Sequence, residues 1–209
     1  MNIRFASLVA TAGMALLATQ VQAESLVDGS AEAGQAKSIT CTACHGPQGN
    51  SMSALWPNIA GQNASYIVVQ LQAFKEGTRN DPLMTPQAML LSDEDMADLA
   101  VYYEGLPEAT QPVKDASLVA RGEALYRGGD LDKGIAACLA CHGPSGMGNP
   151  AAKYPALRGQ HADYTAKQLN DYAAGARTSD GATNVMRDIA ARLSADDIAA
   201  LSSYVQGLR

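Results

Sequence analysis

Two short runs hold the residues best able to do chemistry. The first is Cys41-Thr42-Ala43-Cys44-His45-Gly46, and it returns almost unchanged as Cys138-Leu139-Ala140-Cys141-His142-Gly143. Residues three apart share a helix face, so each run offers two thiols from one turn, followed at once by an imidazole. C-x-x-C-H is the pattern of covalent c-type haem attachment: the thiols add to the two haem vinyl groups, and the adjacent histidine reaches the iron as proximal ligand. Competing readings fare worse. A structural zinc site would want its second cysteine pair in the same small module, whereas these pairs lie about a hundred residues apart. A thioredoxin-like dithiol would follow a strand, and no strand pattern flanks either motif. The chain has no other cysteine. The expected cofactors are therefore two covalently bound haem c groups, held by Cys41 and Cys44, and by Cys138 and Cys141.

The motif names one axial ligand per iron, His45 and His142, and leaves the other to be found. His161 is the spare histidine. It aligns with Asn63 in a polar loop and reads as solvated. A methionine thioether is soft, neutral and at home in an apolar pocket. Met84 stands seven residues before Leu91 and Met186 seven before Leu193, so the repeat places both at the same point and selects them. Met89 aligns with Ala191 and reads as packing, and Met52, Met96 and Met147 read as filler. His/Met ligation leaves no coordination position open and raises the reduction potential relative to two histidines. The chemistry this predicts is one-electron transfer.

The elements that must position these groups follow from caps and periodicity. Ser30 reads as the N-cap of a helix running into the first motif. A Gly- and Pro-rich loop follows over residues 46–63. Ile67, Leu71 and Phe74 then recur at i, i+4 and i+7, which predicts a helix over residues 64–76, ended by Gly77. Residues 78–91, with their prolines, read as a loop. Ser92, with Asp95 three residues on, opens a last helix that stops at Gly105. The second half keeps the register: Gly34 matches Gly122, Gly61-Gln62 matches Gly159-Gln160, and Leu91-Ser92 matches Leu193-Ser194. Tyr66, Gln70, Arg79 and Tyr102 match Tyr164, Gln168, Arg177 and Tyr204. Pro57 and Pro155 are placed for their carbonyls to hold the second ring nitrogen of His45 and His142. Arg79 and Arg177, Tyr66 and Tyr164, and Gln70 and Gln168 could bind haem propionates or pair between domains. No sheet is required.

Length and composition agree. The repeat divides 209 residues into residues 24–106, a proline-bearing linker over 107–116, and residues 117–209. Large side chains are scarce, with one Trp and two Phe, and a domain under a hundred residues struggles to fill a core unaided. A buried haem in each half would supply apolar area. Residues 1–23 read as a secretory signal cleaved after Ala23, which predicts an exported, periplasmic protein.

The tandem Cys-x-x-Cys-His-Gly-Pro-x-Gly, the Pro-x-x-x-Gly-Gln-x-x-x-Tyr run, the methionine after Gly-x-Arg and the Leu-Ser-x-x-Asp helix together resemble the dihaem cytochrome c4 family. The resemblance covers essentially all of residues 30–209. It implies an all-α fold of two cytochrome c class I-like domains related by a pseudo-twofold axis, with His45 and Met84, and His142 and Met186, as axial pairs. It also implies a periplasmic carrier, often membrane-associated, taking electrons from a quinol-oxidising cytochrome bc complex to a haem-copper oxidase or other acceptor. A single chain is the expected unit. Residues 24–108 carry eleven acids against three bases, net −8, and residues 109–209 carry ten against eleven, net +1. An acidic protein is a poor nucleic-acid binder, and the asymmetry suits orientation toward different partners. Two other classes stay open: a haem enzyme of the peroxidase or sulfur-compound dehydrogenase type, and a cytochrome subunit of a larger oxidoreductase.

Overall fold

A computed structural model of the chain describes residues 25–209; the expected signal segment over 1–23 and its cleavage point lie outside them. The described residues form helices and loops, with three isolated β-bridges in place of any sheet. In the first half the helices are α1 (Ala31–Lys37), α2 (Thr42–His45), α3 (Ala64–Glu76), α4 (Met84–Met89) and α5 (Asp93–Glu104). The second half repeats them as α6 (Val119–Gly128), α7 (Leu139–His142), α8 (Ala162–Ala173), α9 (Val185–Ala190) and α10 (Ala195–Gly207).

Each unit is built on a crossing of its first and last helices. A Cβ on Gly34 would lie 2.1 Å from the Asp98 carbonyl oxygen, and one on Gly122 would lie 2.4 Å from that of Ala200. Only a hydrogen atom fits at either crossing. Serine caps fix where the last helices start: Ser92 and Ser194 each accept the N–H of the third residue on, and Asp95 and Asp197 return the bond. The second core gathers Leu125, Tyr126, Leu201, Tyr204, Val205 and Leu208. In the first, Phe74, Met96, Leu99 and Tyr103 are buried.

The expected loop over 78–91 is corrected. It contains α4, whose Pro86 sits in the first turn, where a missing N–H costs nothing. Asp81 accepts the N–H groups of Leu83 and Met84 at 2.9 and 3.1 Å and so starts this helix. The reading of spare methionines as filler holds for Met96, which is fully buried, and fails for three others. Met52 is 98% exposed, and Met89 and Met147 are also exposed.

The two units meet through bonds exchanged in pairs. Gln62 donates to the Ala156 carbonyl and accepts from the Ala156 N–H at 2.9 and 2.8 Å, while Gln160 does the same to Asn58 at 2.8 and 2.9 Å. Arg79 donates to Tyr164 and Gln168, each at 2.9 Å, and Arg177 to Tyr66 and Gln70, each at 2.8 Å. Matched residues exchanging matched bonds are what a pseudo-twofold relation requires. Arg79 and Arg177, Tyr66 and Tyr164, and Gln70 and Gln168 thus pair between the units.

His161 corrects another expectation. It is buried, not solvated. Its Nε2 lies 3.0 Å from the Ser51 carbonyl of the first unit, and its Nδ1 is 3.4 Å from Gln111. Its counterpart Asn63 likewise reaches across, donating to the Met147 and Tyr154 carbonyls. The polar loop seen in sequence becomes an interior once the units dock.

Candidate functional site

Each motif folds as one helical turn. The N–H groups of Cys44 and His45 donate to the Cys41 carbonyl at 3.2 and 2.9 Å, and those of Cys141 and His142 donate to the Cys138 carbonyl at the same distances. Gly46 and Gly143 stop the turn at φ +79° and +78°, a region that favours glycine. The paired cysteines of each turn are half-buried.

Both histidines are buried. His45 Nδ1 lies 2.8 Å from the Pro57 carbonyl and His142 Nδ1 lies 3.0 Å from that of Pro155. A carbonyl can only accept, so Nδ1 carries the proton and Nε2 keeps its lone pair. Burial lowers the pKa of each imidazole, against the smaller opposing pull of its proline carbonyl. The neutral tautomer with Nε2 free is the form that ligates a metal.

Met84 opens α4 and Met186 lies one residue into α9, and both are half-buried. Their helices are anchored alike. Asp81 caps the Met84 amide at 3.1 Å, and Asp180 holds the Arg187 amide and its Nε at 3.0 and 2.8 Å. Helix α4 packs on α3, and α9 on α8.

This donor set fits haem c. Two thiols on one turn suit addition to two vinyl groups, and a neutral imidazole of fixed tautomer suits one iron. No cluster of three or more His, Cys, Asp or Glu able to hold a bare metal ion occurs among the described residues. Sequence reasoning gave the buried phenols beside the motifs no role: it passed over Tyr126 and read Tyr103 only as part of the apolar stripe of α5. Tyr126 is fully buried and donates to the Gly143 carbonyl at 2.7 Å, and Tyr103 is buried beside Cys41. A single tyrosine with no counterpart at the matching position gives no repeat signal.

The cytochrome c family model matches residues 31–106 and again 119–209. The chain is 47% identical to cytochrome c4 of Pseudomonas aeruginosa over the whole of both chains. It is 37% identical to a thiosulfate dehydrogenase electron acceptor of Stutzerimonas stutzeri, over 79% of this chain and 77% of that one. The crystal structure of reduced recombinant cytochrome c4 from Pseudomonas stutzeri superposes with a TM-score of 0.84 at 47% identity, covering 87% of this chain and all of that one. With two such motifs in two such domains, the chain belongs to the cytochrome c family as an electron-carrying dihaem cytochrome of the c4 kind, with two covalently bound haem c groups.

Proposed function

We propose that the protein is a periplasmic carrier of single electrons, taking them from a quinol-oxidising cytochrome bc complex and delivering them to a haem-copper oxidase or another periplasmic acceptor. In this reading His45 and Met84 are the axial ligands in one domain and His142 and Met186 in the other. The observation that carries it is the repeated imidazole geometry. Each ring is buried and fixed by a proline carbonyl, and each domain offers one half-buried methionine at the start of an anchored short helix. When bound, each haem supplies a reversible ferric/ferrous couple. The chain's residues would do the rest: the proline carbonyls keep the imidazoles in one tautomer, and the Met84 and Met186 thioethers would help hold the iron. A site so filled leaves no place for substrate, which favours a carrier over an enzyme. No helix among the described residues is long and apolar enough to cross a membrane, and a peripheral membrane contact is compatible with the reading.

Replacing Met84 with alanine tests the ligand set. Expected is loss of the first haem's share, about half, of the long-wavelength iron–sulfur charge-transfer absorption, with carbon monoxide then binding the reduced first haem only. An undiminished band would remove Met84 from the site, and strong carbon monoxide binding to the unsubstituted protein would favour an enzyme. The thiosulfate dehydrogenase electron acceptor among the relatives supports a second donor, a sulfur-compound dehydrogenase. Reduction rates with each donor separate the two.

A further inference from the structure

One phenol is buried beside each Cys-x-x-Cys-His turn, and the two domains supply it from opposite helices. In the second domain it is Tyr126 on α6, whose proton is given to the Gly143 carbonyl at 2.7 Å. The residue matching Tyr126 in the first domain is Ser38, and the ring there comes from Tyr103 on α5, whose own match on α10 is Val205. Tyr103 is 3% exposed and tilted against Tyr102 at a ring-centroid distance of 5.0 Å. The backbone of Gly49 passes so close that a Cβ there would lie 2.9 Å from the ring. The ring is clamped. Its hydroxyl, however, has no hydrogen-bond partner among the described residues. The polar groups beside it are the Cys41 sulfur and the Ser38 hydroxyl, and Ser38 gives its own proton to the Gln35 carbonyl at 2.8 Å. A buried donor left unpaired is costly; the Ser38 oxygen, its own proton spent, and the Cys41 sulfur are the acceptors beside it, and attachment turns that sulfur into a thioether.

We propose that Tyr103 tunes the first haem: its hydroxyl is directed at the Cys41 sulfur and the haem edge bonded to it, and makes that haem easier to reduce. The positive end of the O–H dipole then faces a group that gains an electron, which favours the reduced state, and hydrogen bonding around a haem is one of the protein's levers on potential. The second domain turns its phenol onto a backbone carbonyl instead. The asymmetry thus separates the potentials of two otherwise matched sites. The inference rests on the two-haem carrier reading and adds to it the residue that distinguishes the haems.

The test is Tyr103→Phe in the full haem-loaded protein, with haem content measured first. Potentials are then followed by visible spectroscopy and NMR, the first haem's signals being assigned through a Met84 variant. Expected is a lower midpoint for the first haem and an unmoved second, displacing the electron distribution about threefold toward the second, as suits one weak hydrogen bond. Thermal stability should change little, because the hydroxyl gives up only one weak bond to a thioether. Tyr126→Phe should do the reverse, losing stability while the first midpoint stays. Two haems with an unmoved first midpoint, or with both midpoints shifted alike, would overturn this inference alone; absence of the first haem from the unsubstituted protein would overturn the carrier reading with it. Should the Phe variant fail to load haem, isotope-edited infrared difference spectra of the unsubstituted protein decide. A tyrosine band that moves on reduction of the first haem supports the inference, and a silent one overturns it.

Discussion

Asp197 shows how much one side chain can carry. It closes the cap of α10 with Ser194, and it takes Arg121 at 2.6 Å and Lys133 at 2.7 Å. Burial alone would raise its pKa, but the bonds from Lys133, Arg121 and Ser194 outweigh burial and hold it below the usual carboxylate range. In the first domain Lys37 bridges Asp95 and Asp98 at 2.7 and 2.6 Å, and both acids are likewise lowered. A depressed folded pKa stabilises the fold fully above the unfolded value, near 4, and that stabilisation is lost as pH falls through the folded value. Acid unfolding should therefore steepen below about pH 4. Asp197→Asn should cost about 1–2 kcal/mol at pH 7, a modest sum because Arg121 and Lys133 are 45% and 42% exposed, and should flatten the acid limb. Urea titrations at pH 7 and pH 3 check this, and an unchanged difference between the two would refute it. The haem-binding cysteines and histidines were legible because reactive residue types at fixed spacing name their chemistry. The cap role of Asp197 was legible too, in Leu-Ser-x-x-Asp, but its ion pairs were not, since its cations lie 64 and 76 residues away in sequence.

Helix identity came through where caps and periodicity agreed. Helix α3 runs from Ala64 to Glu76 and ends at Gly77 with φ +77°, and α5 starts after Ser92, as the sequence predicts. Helices α4 and α9 have six residues each, too few for a hydrophobic period to show. Their start signals, Asp81 and Asp180, act from two to seven residues upstream. Proline in a first turn also reads as a breaker until the turn is seen. The matched glycines carried more than the sequence could say: Gly34 and Gly122 mark the helix crossings, where backbone meets backbone. Gly122→Ala should force α6 away from Ala200 and Tyr204, whose Cβ would lie 2.6 Å from the new methyl. The cost should be about 1–3 kcal/mol, as for other overpacked contacts, while Gly128→Ala, with open space around it, should be neutral or slightly stabilising. Thermal denaturation of the two variants checks the contrast. Equal stability would mean that the crossing yields without cost.

Docking of the two domains depends on polar side chains that the repeat exposed as matched but could not place. The sequence shows which residues recur; whether a recurring residue faces its own domain or the other is a tertiary fact, and His161 shows the consequence, a polar-loop histidine that docking buries. At the centre Arg177 is 4% exposed. It lies over the Tyr172 ring at 4.5 Å and donates to Gln168, Tyr66, Gln70 and Ser179 at 2.6, 2.8, 2.8 and 2.9 Å. The planar fork of guanidinium reaches both domains at once, which neither glutamine nor lysine can copy. Arg177→Gln should weaken docking by about 2–3 kcal/mol, the scale of hydrogen bonds to a charged donor, while each domain keeps its own core. The Asn58 and Ala156 amides, bonded to Gln160 and Gln62 across the interface, report docking directly. Their hydrogen exchange should quicken by about thirtyfold or more, the equivalent of about 2 kcal/mol, while amides within α10 keep their protection. Arg177→Lys should fall near the glutamine variant and not near the original. Were the Asn58 and Ala156 amides to exchange at their original rates, the guanidinium pair would be a passenger at the interface, and docking would rest on the exchanged bonds of Gln62 and Gln160.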